Sequence, residues 1–300
     1  MNLMWAASYV VVKVGLFSLD PLSLIFWRFL SAVAVLFLVI AIRRTPLAMC
    51  RSDALRIFSA GAMLGFSNWL WVSGINISNA TDASLLYVFE PIWGILLASI
   101  ILREKLRLSA LAGLSLVIVG LAALADFDPK AFGIEGGGVG FGNLLVILGL
   151  VCEGLFSIIL KPMTRRVPAT VTTAGVLAVA LLVIVSAIWA RGGLVVPSGA
   201  GTVLSVGYLA LICTVVGYTL WVEVMKHVPV GVMLFTIFIQ PVVGPFIAWA
   251  ALGEAIDMRV ITGGSLLIGG MLVAVVGHVR TKRSDIPAVA DDAIEIVGNV

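Results

Sequence analysis

Apolar runs follow one another along the chain as far as residue 278, and most are long enough to cross the roughly 30 Å hydrocarbon core of a bilayer as a helix. They fall at about 1–17, 22–42, 54–75, 81–102, 108–125, 140–160, 169–190, 202–225, 232–252 and 260–278. This spacing predicts an all-α membrane protein of ten transmembrane helices. A membrane β-barrel would need strands of about ten residues alternating inward and outward, and these runs are continuous and about twice that length. Composition agrees: 61% of the 300 residues are hydrophobic and 12% are charged, about half the charge of a soluble domain. The first run contains Lys13 and has no small-residue cleavage site, so it reads as a span and not as a signal peptide.

The runs are organised as a duplication. "YVFEPIWGILLASIILREKL" (87–106) and "IFIQPVVGPFIAWAALGEAI" (237–256) share Pro91/Pro241, Gly94/Gly244, Ala98/Ala248, Leu102/Leu252 and Glu104/Glu254 at a constant offset of 150. The register extends back to Trp71/Trp221 and forward through Gly113/Gly263 and Gly120/Gly270. "WAASYVVVK" (5–13) and "EGLFSIILK" (153–161) open the two halves and match more weakly. Each half holds five helices, an odd number, so the second must enter the membrane from the other side. The expectation is a first repeat at 1–126, a glycine-rich extracytoplasmic linker at 127–139, a second, inverted repeat at 140–279 and a disordered cytoplasmic tail at 280–300. Inverted repeats place substrate sites near the midplane, where the halves meet.

Charge sets the orientation. Thirteen Lys/Arg lie at 43–53, 103–107, 161–168, 226–231 and beyond 279, against Lys130, Arg191 and Arg259 on the other side. By the positive-inside rule both termini are cytoplasmic. Cys50, Cys152 and Cys213 have no paired spacing. HExxH, GxSxG and Walker A patterns are missing from the sequence, so hydrolytic, metal-dependent and ATP-driven chemistry lack their residues. No cofactor, metal or nucleic-acid partner is expected, and the chain is not read as an enzyme.

A ten-helix duplication with the Pro…Glu signature closing the fourth and ninth helices, each followed by a glycine-rich helix, resembles the EamA-type drug/metabolite transporter superfamily over nearly the whole chain. The tryptophan-rich pattern most resembles the YddG-type aromatic amino acid exporters of bacterial inner membranes. The resemblance implies export of small metabolites, aromatic or neutral amino acids foremost, through a central cavity walled by helices one, three, four, six, eight and nine. Broad-range drug or cation efflux is the alternative within the carrier class, and a channel or lipid scramblase the alternative outside it. A monomer carrying both repeats would suffice.

On those helices the candidate cavity residues are Trp5, Tyr9, Asn68, Trp71, Ser84, Tyr87, Glu90, Glu153, Ser157, Tyr218, Trp221 and Gln240. Aromatic faces stack on flat ligands or hold cations; Trp69 and Trp93 lie on the same helices. Glu90 sits near mid-span, where an ionised carboxylate costs about 2.5–3.5 kcal/mol unless it faces a partner or a water-filled cavity. Its repeat mate, Gln240, has the same shape without the charge. Pro91 and Pro241 remove one backbone donor each and predict kinks at equivalent depths. With Gly94 and Gly244 they are candidate hinges. Glu104 and Glu254 fall at helix ends and are expected to fix turns. Lys13 and Arg28 flank the turn at Pro21; either attracts a carboxylate or snorkels, with snorkelling favoured for Lys13. Glycines spaced by seven on helices five and ten, and Gly61/Gly65, predict close helix packing.

Overall fold

The computed structural model describes residues 1–77, 86, 89–101, 108–124, 139–252 and 258–284. All regular structure among them is helical. The first half contains α1 (Asn2–Gly15), α2 (Pro21–Arg43), α3 (Arg51–Ile77), α4 (Phe89–Ile101) and α5 (Leu108–Leu124). The second contains α6 (Val139–Leu160), α7 (Ala169–Arg191), α8 (Ala200–Met225), α9 (230–252) and α10 (Met258–Ser284). Of these α2, α7, α8 and the run Phe141–Met163 are each long and apolar enough to cross a membrane. Large side chains such as Phe37, Leu38, Leu182 and Leu204 stand exposed on their outer faces. An apolar band of that kind has no place in water and suits lipid.

Local chemistry fixes the helix ends. Asp20 is the N-cap of α2: its carboxylate accepts the Ser23 amide at 3.1 Å, and Pro21 occupies the first turn, where no donor is needed. Burial alone would raise the Asp20 pKa, but the Arg191 guanidinium and the Ser23 hydroxyl and amide more than offset it and hold it below its ordinary value. The same Arg191–Asp20 ion pair, at 2.5 Å, ties the end of α7 to the start of α2. At the other end of the bundle, Asp53 in the first turn of α3 pairs with Arg166 at 2.6 Å. That guanidinium and the Cys50 thiol hold its carboxyl below the usual carboxylate range.

Glycine lets the helices approach. A Cβ at Gly113 would lie 2.5 Å from the Gly270 carbonyl, and one at Gly120 2.9 Å from that of Gly263, so α5 and α10 pack backbone to backbone. Gly61 and Gly65 seat α3 on the Val176 and Ala180 carbonyls of α7. Gly74 packs on the backbone at Gly142, near the start of α6, and Arg56 near the start of α3 donates to the Ile159 carbonyl at its end. Helices α3 and α6 therefore run antiparallel, side by side. Gly94 is also a packing residue, because a Cβ there would meet Leu234 of α9 at 2.5 Å.

Two helices depart from regular α geometry. In α9 a 3-10 segment, Thr236–Ile239, separates Val230–Phe235 from Gln240–Leu252, and Pro241 lies in the first turn of the resumed helix. Pro91 lies within α4. In α8 the segment Leu209–Val216 is a π-helix, in which Thr214 Oγ1 donates to the carbonyl five residues back, Leu209, at 2.7 Å. At the C-terminus, α10 continues to Ser284, past the expected start of the tail at 280. Lys282 and Arg283 are good helix formers, and cations suit a helix C-terminus. Candidates Ser84, Tyr87, Glu104 and Glu254 lie outside the described residues, as do 127–138 of the linker and 285–300 of the tail.

Candidate functional site: a charged, aromatic cavity at the centre of the bundle

The central cavity is formed by side chains from seven helices. Trp5, Ser8 and Tyr9 come from α1, Arg28 from α2, Asn68 and Trp71 from α3, and Glu90 from α4. Glu153, Phe156 and Ser157 come from α6, Tyr218 and Trp221 from α8, and Ile237 and Gln240 from α9. Within α1 the periodicity explains the grouping: Trp5, Ser8 and Tyr9 lie three and four residues apart on one face. The space between the side chains is about 40 Å³, room for a few water molecules.

Several of their polar groups bond one another. Tyr218 donates to Glu153 Oε1 at 3.0 Å, and Trp221 Nε1 to Ser157 Oγ at 2.9 Å. Tyr9 donates to Gln240 Oε1 at 3.2 Å, and Gln240 Nε2 to Asn2 Oδ1 at 3.5 Å. The rings pack against one another: Trp5 lies 5.7 Å from Tyr218 and 5.5 Å from Trp221, Tyr9 meets Trp71 edge-on at 5.9 Å, and Phe156 meets Tyr218 at 5.8 Å. Trp5 is held in turn by its indole N–H, which donates to the Cys213 carbonyl in the π segment at 2.9 Å. Gly217 makes room for that ring, since a Cβ there would come within 2.9 Å of Nε1.

Arg28 supplies the positive charge. It is 5% exposed, seven residues into α2, about 10 Å along the axis from Pro21. Nε donates to Thr214 Oγ1 at 2.7 Å and Nη1 to Asn68 Oδ1 at 3.2 Å. Both partners are held themselves, Thr214 by Leu209 and Asn68 by the Leu64 carbonyl at 3.0 Å. Among the described residues no protein acceptor is bonded to Nη2. A fixed guanidinium with an edge to spare can take a carboxylate or phosphate oxygen. Glu90 and Glu153 line the same cavity and supply acceptors for a cation. One small space thus holds one guanidinium, two carboxyl groups and an aromatic wall.

Among the sequence candidates, Trp5, Tyr9, Asn68, Trp71, Glu90, Glu153, Ser157, Tyr218, Trp221 and Gln240 are brought together here. Trp69 and Trp93 are not, being 37% and 45% exposed on the outer surface. Successive residues on a helix are 100° apart, so Trp69 stands 200° from Trp71 and cannot share its face. Lys13 has a partner within the bundle: its ammonium donates to the Ile75 carbonyl at 2.7 Å. Ser8 shares its helical face with Trp5 and Tyr9, as the sequence spacing predicts. Asn2 and Ile237 carry no such signal in the sequence.

Apolar helices that bury charged side chains centrally while exposing large apolar side chains outward make a multi-pass membrane protein. The chain belongs to the EamA-like transporter family, which it matches over residues 1–125 and 140–276. It is 24% identical over 291 residues to a probable amino-acid metabolite efflux pump of Salmonella typhimurium (strain LT2), covering 93% of both chains. It is also 24% identical over 289 residues to a probable terminal-alkyne amino-acid exporter of Streptantibioticus cattleyicolor, covering 90% of this chain and 89% of that one. An S-adenosylmethionine/S-adenosylhomocysteine transporter of Chlamydia muridarum is 23% identical over 266 residues, covering 84% and 81%. These relatives are named as pumps, exporters and transporters, not as enzymes. One solved crystal structure superposes with a TM-score of 0.74 at 19% identity over 92% of this chain and 94% of that one, a likeness of fold.

Proposed function

We propose that this chain is a secondary carrier that exports small zwitterionic metabolites, aromatic or neutral amino acids foremost, by alternating access through the central cavity. The observation that carries this reading is the burial of Arg28 and Glu90, with the half-buried Glu153 lining the same aromatic cavity. An α-amino acid presents a carboxylate, an ammonium and a side chain, and the cavity offers a complement to each. Arg28 takes the carboxylate, Glu90 or Glu153 the ammonium, and the rings of Trp5, Trp71, Tyr218 and Trp221 the side chain. The relatives' names, two of which mention amino acids, point the same way.

In this reading the carrier has ten spans in two inverted repeats, 1–126 and 140–279, with 127–139 as the extracytoplasmic linker. Both termini face the cytoplasm across the inner membrane, and a monomer transports. Pro91 in α4 and Pro241 in the first turn of the resumed α9 are the bends about which each side opens. Gly94 and Gly244 follow them, and Glu104 and Glu254 anchor the ends. One observation favours a second reading, efflux of organic cations: the cavity holds two carboxyl groups for one guanidinium.

Counterflow in proteoliposomes separates the two. Vesicles loaded with one unlabelled amino acid at a time are tested for uptake of labelled tryptophan, phenylalanine, threonine or alanine. Saturable, trans-stimulated uptake that is lost in Glu90→Gln and Trp71→Ala supports the amino acid carrier. Uptake of unrelated cations without any amino acid counterflow favours the second reading. Flux without trans-stimulation indicates a channel.

A further inference from the structure

Two lysines make equivalent contacts at opposite ends of the bundle. Lys13, in the last turn of α1, donates to the Ile75 carbonyl near the end of α3 at 2.7 Å. Lys161, directly after α6, donates to the Met225 carbonyl that ends α8 and, at 2.7 Å, to the Val228 carbonyl beyond it. Met225 ends α8, where carbonyls have no intrahelical donor and the helix dipole is negative, and Ile75 lies toward the C-terminal side of the described part of α3. The lysines are 148 residues apart and the acceptors 150, close to the offset of the duplication. One turn inward from Lys13 and Ile75, Tyr9 meets Trp71 across the cavity wall; one turn inward from Lys161 and Met225, Ser157 receives the Trp221 indole. Each lysine therefore closes, on its outer side, a helix pair that walls the cavity.

The antiparallel pairing of α3 and α6 puts them at opposite ends. Ile75 lies beside Gly74, which packs against the start of α6, and Lys161 follows the end of α6, where Arg56 reaches Ile159. Both contacts are made in this structure, and the cavity between them is small. We infer that Lys13 and Lys161 are paired positioning residues, each holding the cavity closed at one membrane face and released when that face opens. The acceptors named here are backbone carbonyls, so these contacts are tested by substitution at the lysines. This inference rests on the alternating-access reading.

The test uses the full chain with Cys50→Ser, Cys152→Ala and Cys213→Ala, and Ser8→Cys as a reporter in the cavity. A membrane-impermeant maleimide is applied to right-side-out and to inside-out vesicles. With both lysines present, labelling from each side is expected to be slow. Lys13→Met should change the ratio of the two rates about tenfold in favour of its own face, and Lys161→Met by a like factor in the opposite sense. Lys→Arg at each position should restore the starting ratio. If a Met variant does not fold, Lys→Gln, a shorter neutral donor, is compared in the same way. Two variants that shift the ratio in the same direction, or not at all, overturn the clamp and leave the carrier intact. Labelling of the reporter from one side only, with both lysines present, overturns alternating access itself.

Discussion

The Tyr218 hydroxyl donates to Glu153 Oε1 at 3.0 Å and so orients a cavity carboxyl group from the neighbouring helix. Phe156, meeting the Tyr218 ring at 5.8 Å, holds the phenol from the side. Tyr218→Phe keeps that packing and removes the donor. A net hydrogen bond is worth about 1 kcal/mol, so KM in counterflow should rise about fivefold with the melting temperature in detergent little changed. An unchanged KM would mean that Glu153 needs no orientation by Tyr218.

Arg28 should discriminate by geometry as well as charge. Arg28→Lys keeps the cation but loses the planar fork that reaches Thr214 and Asn68 together. A lost charge-assisted hydrogen bond costs about 1.5–3 kcal/mol, which corresponds to a rise in KM of about 10- to 100-fold for substrates bearing a carboxylate. Amino acid amides, which lack the carboxylate, should be transported equally by both proteins. A parallel loss for acids and amides would remove Arg28 from the carboxylate site.

Adjacent glycines in α10 make a control for packing. A Cβ at Gly270 would lie 2.5 Å from the Gly113 carbonyl, whereas one at Gly269 would meet nothing within 4 Å. Gly270→Ala should destabilise the α5/α10 pair by about 1–3 kcal/mol, read as a lower melting temperature. Gly269→Ala should leave it unchanged or slightly raised. Equal effects would show that the two helices do not meet through Gly113 and Gly270.

The Asp53–Arg166 pair predicts an acid limit to stability. Asp53 lies ahead of the third apolar run and its folded pKa is depressed, with the Arg166 hydrogen bond as the main cause. Its contribution is therefore complete above the unfolded carboxylate pKa, about 3.9, and is lost as pH falls through the lower, folded value. The melting temperature of the parent protein should exceed that of Asp53→Ala at pH 7 and at pH 5. Below about pH 3.9 the difference should shrink. A gap that widens on acidification would reverse the sign of the shift.

Much of this arrangement is legible along the chain. Bilayer-length runs locate α2, α3, α6 and α7 to within a few residues, because a membrane helix has few ways to end. Glu90 and Gln240 stand out because a polar group at mid-span needs a polar neighbour. Arg28 is harder to place. Measured from Pro21 it belongs to the turn, yet a helix carries residue 28 two turns deeper, to the level of Asn68 and Thr214. The 3.6-residue period also misplaces residues where the backbone leaves it. Regular helical geometry does not anticipate the Thr214–Leu209 bond in α8, and the loosened segment supplies the carbonyl that holds Trp5. Nothing in the local pattern of the Lys13 segment distinguishes a snorkelling ammonium from one that bonds a carbonyl of α3; the acceptor lies 62 residues away.

The π segment of α8 also affects how length can vary within such a family. A π turn amounts to about one residue more than the α-helix needs. Loss of a single residue between 209 and 216 would let the helix rewind as regular α with Tyr218 and Trp221 still facing the cavity, because the wide turn absorbs the extra residue. What would change is the local backbone, including the Cys213 carbonyl that holds the Trp5 indole. Relatives that differ by one residue in this stretch can be expected to keep the aromatic wall of α8 and to differ in how the ring on α1 is held.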